Sequence, residues 1–331
     1  EYKEEVLMLN KLAQALRDQR FENGALDFER VEVRFEIDEN GKPISVFFKE
    51  SKEANKLIEE FMLLANRTVA ESIGKAPRGK KVKTLPYRIH DLPDTEKLDQ
   101  LAQFVSKFGY KIKTAGSKKN VAKSINQLLT DVHGKKEANL IETVSIRSMQ
   151  KARYSVHNVG HYGLAFDYYT HFTSPIRRYP DMMVHRLITS YQEGESSVSE
   201  ERYESLCEHC SSMELVASNA ERASIKYKQV EFMSDKIGEE FDGVISGVTE
   251  WGIYVELNEN KCEGMIPMRD LDDDYYEFDE KNYRLVGRRT HQVYALGDPV
   301  RVKVARANLE KKQLDFILAE TPKEITTKKE D

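Results

Sequence analysis

Cysteine is scarce in this chain: Cys207, Cys210 and Cys262 are the only three among 331 residues. Three thiols cannot build a disulfide framework, and so low a number fits a reducing, cytoplasmic compartment. Cys207-Glu-His209-Cys210 resembles half a zinc site, but its second half is missing and the string lies in a helical pattern. Two small buried side chains on one helix face is the better reading, with a metal enzyme built on Cys207, His209 and Cys210 as the weaker alternative. No apolar run approaches the length of a membrane span, and no secretory leader opens the chain. Nor does one sign of charge dominate. Lys and Arg number 51 against 56 Asp and Glu, for a formal net charge of −5. No global field draws in nucleic acid, so any RNA site has to be a local basic patch or channel. The first residue is Glu1, not Met, and the chain opens directly into a helical pattern, which reads as a fragment.

Hydrophobic content of 40% and charged content of 32% fit a soluble globular protein, and the length allows two domains. Residues 3–20, 52–74, 94–108 and 136–152 carry helical periodicity, with Asp94 as an N-cap. A further helix opens at Ser117 and closes at Gly134. Residues 30–37 and 44–49 alternate around Asp38-Glu39-Asn40-Gly41, a hairpin signal. Residues 77–83 are a basic, breaker-rich loop. Residues 198–236 read as one long helix with room for a loop break near Ser211 and a stop at Gly238. From Glu239 the character changes. Short β-branched and aromatic runs at 242–248, 251–257, 263–267, 298–305 and 313–319 have the rhythm of a five-stranded OB-type barrel. Residues 321–331 are charged and read as disordered.

The most informative stretch is residues 161–186, HYGLAFDYYTHFTSPIRRYPDMMVHR. Pro175 and Pro180 bracket Arg177 and Arg178, and proline suits a first helical turn because its missing N–H would be unpaired there anyway. The Arg pair and the hydroxyls of Thr173 and Ser174 thus fall at a helix N-terminus, where free N–H groups and the dipole favour an anion. Guanidinium groups grip phosphate oxygens bidentately, and Tyr168, Tyr169, Phe172 and Tyr179 offer stacking faces. This is the chemistry of a phosphate and nucleobase site. Asp181 and His185, one turn apart, read as an orienting pair rather than metal ligands. His161 and His171 read as hydrogen-bonding parts of the loop, with RNA in reach.

The string GHYGLAFDYYTHFTSPIRRYPDMMVHRLI resembles the signature of the RNB family of exoribonucleases. Residues 56–70, 87–98, 145–155 and 220–233 support the resemblance, and 239–320 resemble an S1-type RNA-binding domain. That order favours the ribonuclease R branch. The resemblance implies an α+β fold: the distal half of an RNB catalytic domain over 1–238, mainly helical with a hairpin, then an OB-type barrel over 239–320. It implies a processive, magnesium-dependent 3′-to-5′ hydrolase acting on the 3′ end of single-stranded RNA and releasing nucleoside 5′-monophosphates. The family's aspartate cluster for the metal is not found in residues 1–160. Asp91 and Asp94 look like turn and cap residues, and Asp270, Asp272, Asp273 and Asp274 like a solvated acidic turn. The chain therefore reads as beginning downstream of its metal ligands, with no metal site of its own.

By position in TSPIRRY, Arg177 matches the family's arginine at the scissile phosphate. Arg178 is expected at a neighbouring phosphate or on an acidic partner. The resemblance supports Glu59 or Glu60 gripping the terminal ribose, with an ordinary exposed Glu as the alternative for each. Asn66 shares the helix face of Glu59. Tyr169, His171, Ser174 and Glu221 are further RNA-contact candidates. In the barrel, Trp251 and Tyr254 are expected as stacking platforms and Arg269 as a phosphate contact, beside Lys261, Arg306, Lys311 and Lys312. A His is usual where Pro267 stands, so this chain departs from the common module at one RNA-contact position. The competing function is a catalytically inactive RNA-binding or scaffold module. A core without its first strands is also expected to expose apolar surface and to self-associate.

Overall fold

The computed structural model describes residues 2–28, 32–49, 51–76, 79, 81–135 and 137–319, without the side chains at 32, 139 and 281. The expected tail at 321–331 lies outside the described residues, as do parts of the 77–83 loop and the start of the first hairpin strand. The chain is mixed α+β. Its elements run α1 (Lys3–Glu22), β1 (Glu32–Ile37), β2 (Pro43–Lys49), α2 (Glu53–Gly74), β3 (Tyr87–Ile89), α3 (Thr95–Ser106), α4 (Lys118–Val132), α5 (Ala138–Ser148), β4 (Arg153–Ser155), α6 (Tyr179–Gln192) and α7 (Glu200–Ser234). There follow β5 (Glu240–Thr249), β6 (Gly252–Leu257), β7 (Glu263–Pro267), β8 (Tyr276–Asp279), β9 (Arg284–Gly287), β10 (Val293–Ala295), β11 (Pro299–Asn308) and β12 (Gln313–Leu318). Two compact units form, Glu1–Arg30 with Glu50–Asn219, and Val31–Lys49 with Ala220–Asp331.

In the first unit, α2, β3 and α6 share a core. Ala70, Leu85, Tyr87, Ile89, Val184 and Leu187 are buried together, and Tyr168 and Phe172 of the motif pack against them. Fully burying one such aliphatic side chain contributes about 1.5–3 kcal/mol, so this cluster anchors the motif to two helices. β3 pairs antiparallel with β4, Arg88 opposite Tyr154. The caps form as expected: Asp94 accepts from Glu96 N at 2.8 Å and Ser117 from Asn120 N at 3.3 Å. The helix expected over 136–152 is shorter, because its end gives way to β4. On α1, Val6, Leu7, Leu9 and Leu12 are exposed and only Ala13 of the apolar stripe is buried.

The break expected near Ser211 is absent: α7 is continuous. The Ser211 hydroxyl donates back to Cys207 O at 2.8 Å and accepts from Tyr154 N at 2.9 Å, so it ties the helix to β4 instead of interrupting it. Cys207 is buried, and burial pushes its thiol up to about 12. No group of three metal-ligating side chains exists among the described residues.

In the second unit, β1 and β2 form the expected antiparallel hairpin, with Phe35 against Phe232 at 6.0 Å. Five strands close into a barrel in the order β11-β12-β7-β6-β5, with Ile245, Ile253, Val255, Leu257, Ile266, Val302 and Phe316 inside. The seam between β12 and β7 is parallel and rests on the pair Asp315 and Met265. A separate three-stranded sheet, β10-β9-β8, was not expected. Its strands are three or four residues long and, among the described residues, pair only with one another. No helix of the described residues is long and apolar enough to cross a membrane.

Candidate active site

The motif enters the first unit through a 3-10 turn at Tyr162–Leu164, where His161 Nδ1 accepts from Leu164 N at 3.2 Å. It then crosses beneath α2. Asn66, 3% exposed, holds it from above: its Nδ2 donates to the Tyr169 hydroxyl at 3.2 Å, and its Oδ1 accepts from Phe172 N at 3.0 Å. Both polar ends of Asn66 are thus spent on the motif backbone and ring. Tyr169 is 5% exposed and boxed by His161 and His171, edge-on at 5.3 and 5.7 Å. Asn66 and Tyr169 therefore act first as the clamp that shapes the loop.

After Thr173 the chain turns tightly. Arg177 N and Arg178 N both donate to Ser174 O, at 3.3 and 3.0 Å, before α6 starts at Tyr179 with Pro180 in its first turn. Asp181, fully buried, accepts from Ser174 N and from Arg178 Nη2, each at 2.8 Å. This replaces the expected pairing of Asp181 with His185. A helical Cα–Cβ bond tilts toward the N-terminus, so the first-turn carboxylate meets the turn before it. His185 instead bonds Phe172 O through Nε2 at 2.9 Å and stacks on the Phe172 ring at 4.0 Å. The two arginines divide. Arg178 is held inward by Asp181, while Arg177 is exposed and, among the described residues, its side chain hydrogen-bonds the Ser174 hydroxyl alone, at 3.4 Å. Arg178 Nε and Thr173 Oγ1 are buried without a hydrogen-bond partner among the described residues.

A cleft of about 380 Å³ brings Glu59, Asn66, Tyr169, Thr173 and Arg178 together over an apolar wall that includes Ile58 and Met62. Polar groups that converge on an apolar pocket are what fix a small ligand in one orientation. Glu59 is exposed at its edge. Glu60 is not available: it is 3% exposed and paired with Arg20, itself 6% exposed. The expectation of a ribose contact from Glu60 is therefore corrected, since its carboxylate is taken up between α1 and α2.

Two residues that sequence reasoning missed brace the site. Arg88 forms a bidentate pair with Glu214, at 2.6 and 3.1 Å, and lies over the Tyr154 ring. His90 accepts from Gly163 N through Nδ1 at 2.9 Å, and its Nε2 is 2.8 Å from Gln150 O. Burial disfavours the protonated form of His90, His161 and His171. Burial, then the charges of His90 and Arg88, lowers His161 to about 3. Burial, then Arg178, Arg88, His161 and Arg177, lowers His171 to about 2.

In the second unit, Glu221 is exposed on α7. Trp251 is 70% exposed in the turn before β6, and Tyr254 is half-buried over Gly247. Arg269 is exposed, with Asp270 at 3.6 Å. Lys261 and Arg306 are tied to Glu256 and Asp315 at 3.1 and 3.4 Å, while Lys311 and Lys312 are exposed. Of the aspartates expected as a solvated turn, Asp272 and Asp273 are exposed, whereas Asp274 organises the loop. Asp274 accepts from Tyr275 N, Arg289 N and Thr290, and those bonds, with the Thr290 hydroxyl first, lower its carboxyl.

Two family models match. The RNB domain covers residues 1–194 and the S1 RNA binding domain residues 234–318. The ribonuclease R of Aquifex aeolicus is 40% identical over 320 residues, covering 96% of this chain and 44% of its own length. That of Thermotoga maritima is 39% identical, over 95% of this chain and 44% of its own. The structure of Mycoplasma genitalium RNase R is similar with a TM-score of 0.87 at 27% identity, in its apo form and in complex with ribose methylated single-stranded RNA. It covers 95% of this chain, which spans 49% of it. The magnesium implied by the family finds no fitting ligand set among the described residues. The chain belongs to the RNB family, joined to an S1 RNA-binding domain, and it spans less than half the length of the ribonuclease R relatives it matches.

Proposed function

We propose that this chain is the substrate-gripping part of a 3′-to-5′ exoribonuclease that hydrolyses single-stranded RNA to nucleoside 5′-monophosphates in the cytoplasm. The observation that carries the reading is the division of labour between the two arginines. Asp181 neutralises Arg178 and pins the 174–178 turn, and this leaves Arg177 exposed and charged at the front of α6. A fixed guanidinium aimed at a phosphate stabilises the charge that develops on its oxygens. Arg177 therefore binds the scissile phosphate, while Ser174 steadies its guanidinium. Glu59, at the mouth of the cleft with Asn66 and Arg178, accepts from ribose hydroxyls of the terminal nucleotide, the contact that separates RNA from DNA. Trp251 and Tyr254 stack bases of the incoming strand, with Arg269 on its phosphates and Glu221 as a further contact. The relatives that carry the names ribonuclease R and RNase R support this reading.

Magnesium belongs to the same proposal, with ligands in the part of the relatives' length that this chain does not span. In the same proposal the chain by itself binds RNA without hydrolysing it. A 5′-labelled single-stranded RNA tests both statements. The longer protein with magnesium should give a ladder of 3′-shortened products, and this chain alone should bind without shortening. A ladder from the chain alone, or none from the longer protein, would contradict the reading. Gel-filtration mass checks self-association through the exposed apolar face of α1.

A further inference from the structure

Tyr154, on β4, is 4% exposed and stands edge-on to His171, with ring centroids 5.6 Å apart at 71°. Its hydroxyl lies 2.8 Å from His171 Nδ1 and has no other partner among the described residues. A buried hydroxyl proton without an acceptor is costly. Tyr154 therefore donates and Nδ1 accepts. A neutral imidazole carries one N–H, so the proton of His171 sits on Nε2.

Burial first, and then the surrounding charges, keep the ring neutral. Arg88 of β3, held by Glu214 of α7, contributes one of those charges. Arg177 and Arg178, the latter held by Asp181 of α6, face it from the turn. His161 and Tyr169 complete the shell within the motif. A second proton on His171 would add a cation among three guanidinium groups.

We infer that Tyr154 is a positioning residue that locks His171 in its Nε2–H tautomer, so that His171 serves as an uncharged donor to a phosphodiester oxygen of bound RNA. This rests on the reading of the motif as an RNA phosphate site. The opposite tautomer would turn a lone pair on that oxygen. The lock thus decides between attraction and repulsion without changing the charge of the site.

Imidazole nitrogen-15 spectra of the full chain test this, with the His171 signals assigned by loss in His171→Gln. The expected spectrum has Nδ1 unprotonated and Nε2 protonated, with no titration between pH 5.5 and 8. Adding a short single-stranded oligouridylate without metal should move the Nε2–H signal. Tyr154→Phe, a substitution that keeps the ring, should mix the tautomers and weaken that shift. In the longer protein it should lower kcat/KM about tenfold, and by nothing further in a His171→Phe background. An Nδ1–H signal, titration of His171 within that range, or an equal kcat/KM loss in both backgrounds would overturn the inference. So would an unmoved Nε2–H signal with RNA bound. Absence of hydrolysis by the longer protein, with the tautomer and the RNA shift as expected, would instead sink the exoribonuclease reading and leave the lock standing.

Discussion

Asp181 sits 2.8 Å from a guanidinium nitrogen of Arg178, and the carboxylate is fully buried while Arg178 keeps 21% of its side chain exposed. The same oxygen also caps Ser174 N. One carboxylate thus sets both the charge and the backbone of the turn that presents Arg177. Removing one partner of a buried ion pair leaves the other uncompensated, at a cost of about 3–5 kcal/mol. Asp181→Ala is therefore expected to destabilise by about that much in urea unfolding, and Asp181→Ala with Arg178→Met to recover part of it. A double variant as weak as the single one would show that Arg178 is not what Asp181 compensates.

Arg177 is the contrasting case, because it is exposed and makes one long hydrogen bond. Arg177→Ala should change stability by less than about 0.5 kcal/mol. In the longer protein it should lower kcat by about 10²–10³, the range for losing one preorganised donor to a transition-state charge, while RNA affinity falls far less. Equal losses in kcat and affinity would make Arg177 a binding residue only.

Neighbouring carboxylates on α2 should behave oppositely. Glu60→Gln is expected to destabilise the fold, because it strips the charge that faces buried Arg20. Glu59→Gln should leave thermal unfolding unchanged and narrow the preference for RNA over DNA 3′ ends. A competition assay with matched RNA and DNA oligomers reads the difference.

The histidines give the fold a pH dependence with a defined sign. His161 and His171 are held neutral at about 3 and 2, against 6.5 for the free side chain, and burial lowers His90 as well. Below 6.5 the unfolded chain takes up protons that the folded chain refuses. The stability held by His161 and His171 is therefore complete above about pH 7 and is lost as pH falls through 6.5 toward 3, at up to about 1.4 kcal/mol per pH unit for each of the two. Urea midpoints measured from pH 8 to 5 check this, and His171→Gln should make the acid limb shallower.

In the barrel, Trp251→Ala should weaken single-stranded RNA binding by roughly 1–3 kcal/mol through lost stacking. Arg269→Ala should weaken it modestly and flatten the salt dependence. Fluorescence anisotropy at two ionic strengths separates the two effects. No change on losing Trp251 would remove the stacking role.

What was legible in the sequence is what is encoded locally. The Asp94 and Ser117 caps, the hairpin turn at Asp38 to Gly41 and the stripe of α2 each depend on residues within a turn or two of one another. The motif announced its helix start through two prolines. The errors came mostly from partners outside the helix that carries the residue. Glu59 and Glu60 are equivalent in sequence, and Arg20 decides which is buried. Asp181 and His185 look like a pair until Ser174, Arg178 and Phe172 fold back to claim them. Ser211 looks like a break until Tyr154 N supplies a use for its hydroxyl. The small sheet of β8, β9 and β10 escaped because strands of three or four residues carry too few alternations to read.

The seam between β12 and β7 depends on Gly264. A Cβ there would lie 2.5 Å from the Phe316 ring, which fills the barrel beside it. Any larger residue at 264 pushes that ring against the one parallel pairing that closes the cylinder. A closed barrel has no edge strands, and an opened one has two, each with a row of unpaired amides ready to recruit another chain. A substitution at this position would therefore surface less as a loss of RNA binding than as a loss of solubility.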